Sequence, residues 1–231
     1  MLHASAQTVK VAAAANLQTV IIALQKDFKM RTGIDIEPVS GSSGKLVAQI
    51  SNGAPYDVFL SADMDFPEKL YKDGSATDKP EVYALGSLII CSNKQLAFNN
   101  WQQLLQSKSV KKIAIANPAI APYGKAAEEA LTKAGILHKI KSKAVYGESI
   151  SQVNTYITTG VVEVGFTTQS LVKETQPLYW KAIDTKMYAP IQQGIVLLTH
   201  AKDNIQAQKF YQYILSPVAK RIFKQYGYKT L

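Results

Sequence analysis

The sequence has few of the side chains that bind metals or form disulfides. It contains one cysteine, Cys91, and three histidines. A single cysteine cannot form an internal disulfide, and Cys91 lies in an apolar run, which indicates a small buried hydrophobe. His3, His138 and His200 lack the spacing of zinc ligands. We therefore interpret the histidines as surface residues and expect no bound metal cation.

The sequence also lacks the common motifs of enzymes. It has no Gly-x-Ser-x-Gly nucleophile elbow. The Gly/Ser run at residues 41–45 has neither the spacing of a phosphate-binding P-loop nor the Ser or Thr that follows its lysine. We therefore expect a protein that is not an enzyme and needs no cofactor.

Long apolar runs and clustered charges are absent as well. No apolar run approaches the length of a membrane-spanning helix. Lysine and arginine outnumber acidic residues by 26 to 17, but they are scattered along the chain. This pattern indicates a solvated basic surface, and no nucleic acid partner is expected because no basic stripe with aromatic platforms occurs. With 231 residues, 47% of them hydrophobic, the chain can form one large domain or two small lobes.

The amino end contains the small-x-small pattern Ala4-Ser5-Ala6, which is typical of a signal-peptidase site. We therefore expect an exported protein, periplasmic or extracytoplasmic, whose signal peptide is absent from this chain.

What the sequence does have is a recurring junction from a short strand into a helix. A strand at residues 34–39 enters a Gly/Ser turn, and helix-period apolar residues begin at Leu46. The first N–H groups of a helix lack internal partners and carry partial positive charge, so such a junction suits an anion. The alternative is that Ser42 or Ser43 serves only as a helix cap.

Similar junctions occur elsewhere in the chain. Asn16 follows the first strand, residues 9–15, and is predicted to cap the next helix. Tyr123 precedes a helix expected from about residue 125, and Ser149 is a predicted N-cap. A further strand ends at Thr168.

These elements group into two α/β lobes, each with a mostly parallel sheet flanked by helices. The apolar run from Leu85 to Cys91 is predicted as one strand leaving the first lobe, and residues 193–198 return to it. The lobes are then residues 1–86 with 195–231, and residues 87–194. Ligands of open parallel sheets bind beyond the carboxyl ends of the strands, where the junctions lie. Two crossings between lobes permit hinge closure around a small ligand.

The junction side chains are almost all hydrogen-bond donors, and the four main helix starts carry no carboxylate. A protonated anion would need an acceptor for its own proton. The donors therefore favour a fully ionised oxyanion, for which each hydrogen bond contributes about 1.5–3 kcal/mol.

Several segments also carry a family resemblance. The most specific are the block from Gly53 to Asp63 and the tail Leu215-Ser216-Pro217. The others are residues 11–17, 41–50, 116–127, 165–166, 210–214 and 226–228. In these segments the chain resembles the periplasmic molybdate-binding proteins of molybdate ABC transporters, which are two-lobe solute-binding proteins.

The resemblance implies a two-lobe periplasmic-binding-protein fold. It implies a monomer that captures molybdate or tungstate in an interlobe cleft and delivers it to a membrane permease. The implied ligand-binding residues are Ala15, Asn16, Ser43, Tyr123 and Ile150. Ser42, Ser149 and Thr168 are further candidates.

Two positions depart from the family pattern. Asn16 stands where many members have serine, and Thr168 stands where many have a donor tyrosine. The Asn16 amide is the candidate replacement for that tyrosine hydroxyl.

The alternative functions are a carrier of another tetrahedral oxyanion, such as sulfate, and a sensor or regulator domain on the same fold.

Overall fold

The structure, a computed structural model, describes residues 8–172 and 178–230. Over these residues the chain forms ten β-strands and nine α-helices. It divides into two compact units: unit 1 comprises Met1–Leu85 and Gln192–Leu231, and unit 2 comprises Gly86–Ile191. These boundaries lie within three residues of the expected lobe boundaries, which were placed after residues 86 and 194.

Unit 1 contains a five-stranded sheet with the order β2-β1-β3-β10-β4. Strand β1 pairs in parallel with β2 and β3, whereas β10 runs antiparallel to β3. The strands are β1 (Val9–Ala14), β2 (Ile36–Gly41), β3 (Val58–Leu60), β4 (Glu81–Gly86) and β10 (Ile191–Leu197).

The helices of unit 1 bury apolar faces against this sheet. They are α1 (Val20–Thr32), α2 (Ser43–Ser51), α3 (Asp65–Lys72), α8 (Ile205–Leu215) and α9 (Pro217–Gln225). The apolar face of α1 is buried, and Phe28 contacts Phe210 of α8 edge-on at a centroid distance of 5.2 Å. Phe223 of α9 joins the same core cluster as Val11 of β1. The last two helices thus pack on unit 1.

Unit 2 contains a second five-stranded sheet with the order β7-β6-β8-β5-β9. Its strands are β5 (Leu88–Ser92), β6 (Ile113–Ala116), β7 (Ala144–Gly147), β8 (Val164–Thr168) and β9 (Tyr179–Ala182). Its helices are α4 (Trp101–Gln106), α5 (Pro122–Lys133), α6 (Leu137–Ile140) and α7 (Ile150–Thr158). The α/β class is confirmed. Both sheets are mixed, because β5 runs antiparallel to β8 and β9 just as β10 does to β3.

The predicted single strand from Leu85 to Cys91 is wrong. Ser87 separates β4, which belongs to the sheet of unit 1, from β5, which belongs to the sheet of unit 2. Both strands are apolar where they meet, so the break between two sheets leaves no mark in the hydrophobic pattern.

Cys91 is fully buried in β5, as predicted. Burial raises the pKa of its thiol, which therefore stays protonated and unreactive at neutral pH. Among the described residues, no helix is both long enough and apolar enough to span a bilayer.

Candidate functional site

The first candidate corner, by which we mean a junction between a strand and the next helix, follows β1. There Ala15–Leu17 forms a 3-10 turn. Asn16 is 1% exposed, and its Nδ2 lies 2.8 Å from Gln193 Oε1 and 2.8 Å from Tyr228 Oη. The prediction that Asn16 caps the next helix is wrong, since α1 begins only at Val20. Its side-chain amide instead turns into the protein, where Gln193 and Tyr228 accept both amide hydrogens. The prediction that this amide replaces the tyrosine hydroxyl of the family is therefore wrong, because a primary amide has only two hydrogens to donate.

The second corner is the Gly/Ser turn between β2 and α2. Ser42 occupies the N-cap position of α2, but its side chain makes no capping hydrogen bond. Ser43 Oγ instead accepts a hydrogen bond of 3.1 Å from Ala62 N–H. The interpretation of these serines as simple side-chain caps is therefore wrong.

Both serines keep donor capacity. Ser42 is 4% exposed, and within the described part of the chain its Oγ has no hydrogen-bond partner. Ser43 Oγ uses a lone pair to accept from Ala62 N–H, so its own proton can still be donated. The first intrahelical bond of α2 runs from Leu46 N–H to Ser42 O (3.0 Å), so the amides of residues 43–45 precede it at the helix N-terminus.

A chain of hydrogen bonds joins the two corners within unit 1. Gln193 accepts from Asn16 Nδ2 and donates through Nε2 to Ala62 O (3.2 Å). The N–H of Ala62 then donates to Ser43 Oγ. Asn16 and Ser43, separate in sequence, are thus held at a fixed spacing by buried groups.

In unit 2, Tyr123 lies in the first turn of α5. The helix begins at Pro122, three residues before the predicted start, because proline is favoured at the first helical position. The Tyr123 ring is 1% exposed, and its Oη accepts a hydrogen bond of 3.2 Å from Thr168 Oγ1. Thr168 Oγ1 also lies 3.2 Å from Ser170 Oγ. The Thr168 hydroxyl therefore fixes the Tyr123 side chain at the end of β8.

Ser149 and Ile150 form the start of α7. Ser149 is the N-cap, as predicted: its Oγ accepts from Gln152 N–H at 3.2 Å. Gln152 Oε1 accepts in turn from Glu148 N–H at 2.6 Å. This reciprocal arrangement resembles a capping box. Ile150, 4% exposed, is then the first helical residue, and its amide lies at the N-terminus of α7.

Ser149→Ala is expected to lower the free energy of unfolding by about 1 kcal/mol, because the cap is lost. Chemical denaturation without added ligand measures this. Ser149→Asn, which restores a capping oxygen, should recover most of the loss; an equal loss in both variants would contradict the capping role.

The histidines form no site in the described chain. His200 Nε2 lies 3.6 Å from Asp57 Oδ1 on a half-exposed side chain, and His138 lies in α6. His3 falls outside the described residues. Across residues 8–172 and 178–230, no group of three or more His, Cys, Asp or Glu is arranged to hold a metal ion.

Gln193 and Tyr228 are the buried polar residues at this site that the sequence analysis missed. Gln193 is fully buried in β10, whereas its neighbour Gln192 is exposed. The sequence signal that could have found Gln193 is strand alternation, which puts it on the same face as the apolar Ile191 and Ile195. Tyr228 belongs to a matching family segment, but nothing in its neighbourhood in the sequence indicates a contact with Asn16.

The chain has extensive similarity to known proteins. A family model described as bacterial extracellular solute-binding protein matches residues 9–229. The molybdate-binding protein ModA of Azotobacter vinelandii is 38% identical over 97% of this chain and 91% of its own length. The ModA protein of Rhodobacter capsulatus is 34% identical over 99% of this chain and 91% of its own length.

A solved structure has a similar fold. The periplasmic molybdate-binding protein of Azotobacter vinelandii superposes with a TM-score of 0.92 at 33% sequence identity. The match covers 96% of this chain and 99% of that protein.

Proposed function

The chain belongs to the bacterial extracellular solute-binding proteins, and on that basis we propose that its solute is molybdate or tungstate. The family binds solutes and is not a family of enzymes, which confirms the expectation that the chain is not an enzyme. In this proposal the protein delivers the oxyanion to the membrane permease of an ABC transporter. The names of its relatives support this cargo.

The observation that carries the proposal is the geometry of Ser43. Because Ser43 Oγ accepts from Ala62 N–H, the orientation of its hydroxyl is set and its proton is left for a ligand. The amide of the same residue stands at the N-terminus of α2, where the helix dipole favours an anion. One residue therefore offers two donors to one oxyanion.

The proposed ligand-binding set keeps the residues that the family resemblance implies. In unit 1 it contains Ala15, Asn16 through its backbone N–H, and Ser43, with the buried Ser42 hydroxyl as a further donor. In unit 2 it contains the backbone amides of Tyr123 and Ile150, at the starts of α5 and α7. We place Ser149 and Thr168 beside this set, because their hydroxyls already have hydroxyl partners. Ser149 Oγ lies 2.9 Å from Ser151 Oγ, and Thr168 Oγ1 donates to Tyr123 Oη.

These donors fit a dianion without a proton. Hydroxyl and amide groups at helix N-termini supply hydrogens, and neutral donors keep their charge state across neutral pH. Molybdate and tungstate are such dianions and are larger than sulfate. The spacing of the donors then decides which of the three is preferred.

Binding is tested by thermal unfolding with molybdate, tungstate and sulfate added separately. At a ligand concentration about a hundredfold above Kd, the stabilisation is about 2.7 kcal/mol. For a chain of this length that raises Tm by about 5–10 °C. We expect this shift with molybdate and tungstate and a smaller one with sulfate. No shift with either of the first two would refute the proposal, and a larger shift with sulfate would reassign the cargo.

We further propose that the protein works outside the cytoplasm as a monomer, after removal of a signal peptide. Membership in an extracellular family supports export and disfavours a sensor or regulator domain. Amino-terminal sequencing of the protein from its native host, together with light scattering of the purified chain, tests both points. An uncleaved cytoplasmic form or a stable dimer would contradict them.

A further inference from the structure

We propose that Tyr228 and Gln193 are positioning residues that set the oxyanion preference of this protein by holding Asn16 and Ser43 at a fixed spacing. The inference rests on the proposed oxyanion-binding function. Neither residue belongs to the proposed ligand-binding set, and both act through residues that do.

Tyr228 fixes Asn16 with one hydroxyl group. Its Oη accepts from Asn16 Nδ2 at 2.8 Å and donates to Asn16 O at 3.0 Å. The side chain and the backbone of Asn16 are therefore bound by the same oxygen. The two residues are 212 positions apart in sequence, so this contact forms only in the folded unit.

Tyr228 is itself held rigidly. It is 4% exposed, and its ring packs edge-on against Phe223 of α9 at a centroid distance of 5.5 Å. The next residue, Lys229, exchanges two backbone hydrogen bonds with Leu85 of β4, at 2.7 and 2.9 Å. A side chain restrained at its ring and its backbone can define where Asn16 stands.

Gln193 connects this corner to the other. Its Oε1 accepts the second amide hydrogen of Asn16, and its Nε2 donates to the carbonyl oxygen of Ala62. The backbone N–H of Ala62 donates in turn to Ser43 Oγ. Gln193 has no exposed surface, so breaking either bond leaves a buried polar group without that hydrogen bond. The distance between the two corners is thus set by a continuous run of buried hydrogen bonds.

A fixed spacing between donors has a functional consequence. Oxyanions of different size place their oxygens at different separations, and a rigid set of donors pairs fully with only one size. Loosening Asn16 should therefore weaken molybdate binding more than sulfate binding. A purely structural role would lower stability without changing the ratio of the two affinities.

The test is Tyr228→Phe, assayed by calorimetric titration with molybdate and with sulfate. We expect molybdate affinity to fall by about tenfold, the upper range for one lost buried hydrogen bond, and the molybdate-to-sulfate ratio to fall with it. In an Asn16→Ala background the same change should cost less than about threefold, because the bond to the side-chain amide is already gone and only the bond to the backbone carbonyl of residue 16 remains to be lost.

The matched control is Tyr213→Phe, which also removes a tyrosine hydroxyl from unit 1. Tyr213 Oη donates to Asp27 Oδ2 at 2.8 Å, in a bond that is not part of the run between Asn16 and Ser43. This variant should leave both affinities within about twofold of the unmodified protein, whatever it does to Tm.

Gln193→Met supplies a second variant, since it removes both hydrogen bonds at nearly constant volume. It should also lower the molybdate-to-sulfate ratio. The inference is overturned if Tyr228→Phe and Gln193→Met, folded by circular dichroism, keep the unmodified ratio, or if Tyr228→Phe has equal effects with and without Asn16. Failure of the unmodified protein to bind molybdate would instead refute the proposed function.

Discussion

Gly124→Ala is expected to lower the free energy of unfolding of unit 2 by at least about 3 kcal/mol, the upper range for overpacking. A Cβ at this position would lie 2.2 Å from Ala116 O and 2.7 Å from Ala116 C, in the backbone of β6. Backbone atoms in the centre of a sheet cannot rotate away as a side chain can. The added methyl group must therefore push α5 off the sheet.

The same displacement should impair binding. Gly124 directly follows Tyr123 in the first turn of α5, so a shift of the helix moves the amide that we assign to the oxyanion. We expect molybdate affinity to fall together with stability. Denaturation followed by tryptophan fluorescence suits this measurement, because Trp101 and Trp180 both lie in unit 2.

Gly135→Ala is the control for Gly124→Ala, two residues beyond the other end of α5. Gly135 has φ +69° and no atom within 4 Å of an added Cβ, so this change costs backbone strain alone, about 1–2 kcal/mol. It should leave molybdate affinity unchanged. A Gly124→Ala variant no less stable than Gly135→Ala would show that the close approach to β6 is not rigid.

Ser43→Ala is expected to weaken molybdate binding by about 10- to 100-fold, because a hydrogen bond to a charged ligand contributes about 1.5–3 kcal/mol. The change also removes the acceptor of Ala62 N–H, which leaves a buried donor unpaired. Stability should therefore fall as well, by about 1–3 kcal/mol. Calorimetry gives the affinity, and denaturation without ligand gives the stability.

Ser51→Ala is the matched control for Ser43→Ala, because it makes the same change at the exposed carboxyl end of the same helix. Neither affinity nor stability should change by more than about 0.5 kcal/mol there. Unaltered molybdate affinity in Ser43→Ala would remove Ser43 from the ligand-binding set, whatever its effect on stability.

The strand-to-helix junctions could be predicted because their signals are local. Ser43, Tyr123 and Ile150 stand at the starts of α2, α5 and α7, which begin within three residues of their predicted starts. A change from strand period to helix period marks such a point within a few residues of sequence.

The partners of these residues could not be predicted, because they come from distant parts of the chain. Asn16 meets Gln193 across 177 positions, and Thr168 meets Tyr123 across 45. Local propensity predicts that Asn16 caps a helix, but in the folded unit its side-chain amide donates to buried acceptors instead. The boundary between β4 and β5 escaped prediction for the same reason, since sheet membership depends on non-local pairing.

The position of β10 inside the sheet of unit 1 has a consequence for the growing polypeptide. Because β10 lies between β3 and β4, that sheet cannot be completed before residue 197 has left the ribosome. Every strand of the other sheet has been synthesised by residue 182. Unit 2, which is one continuous stretch of the chain, can therefore complete its sheet first, while the sheet of unit 1 still lacks β10.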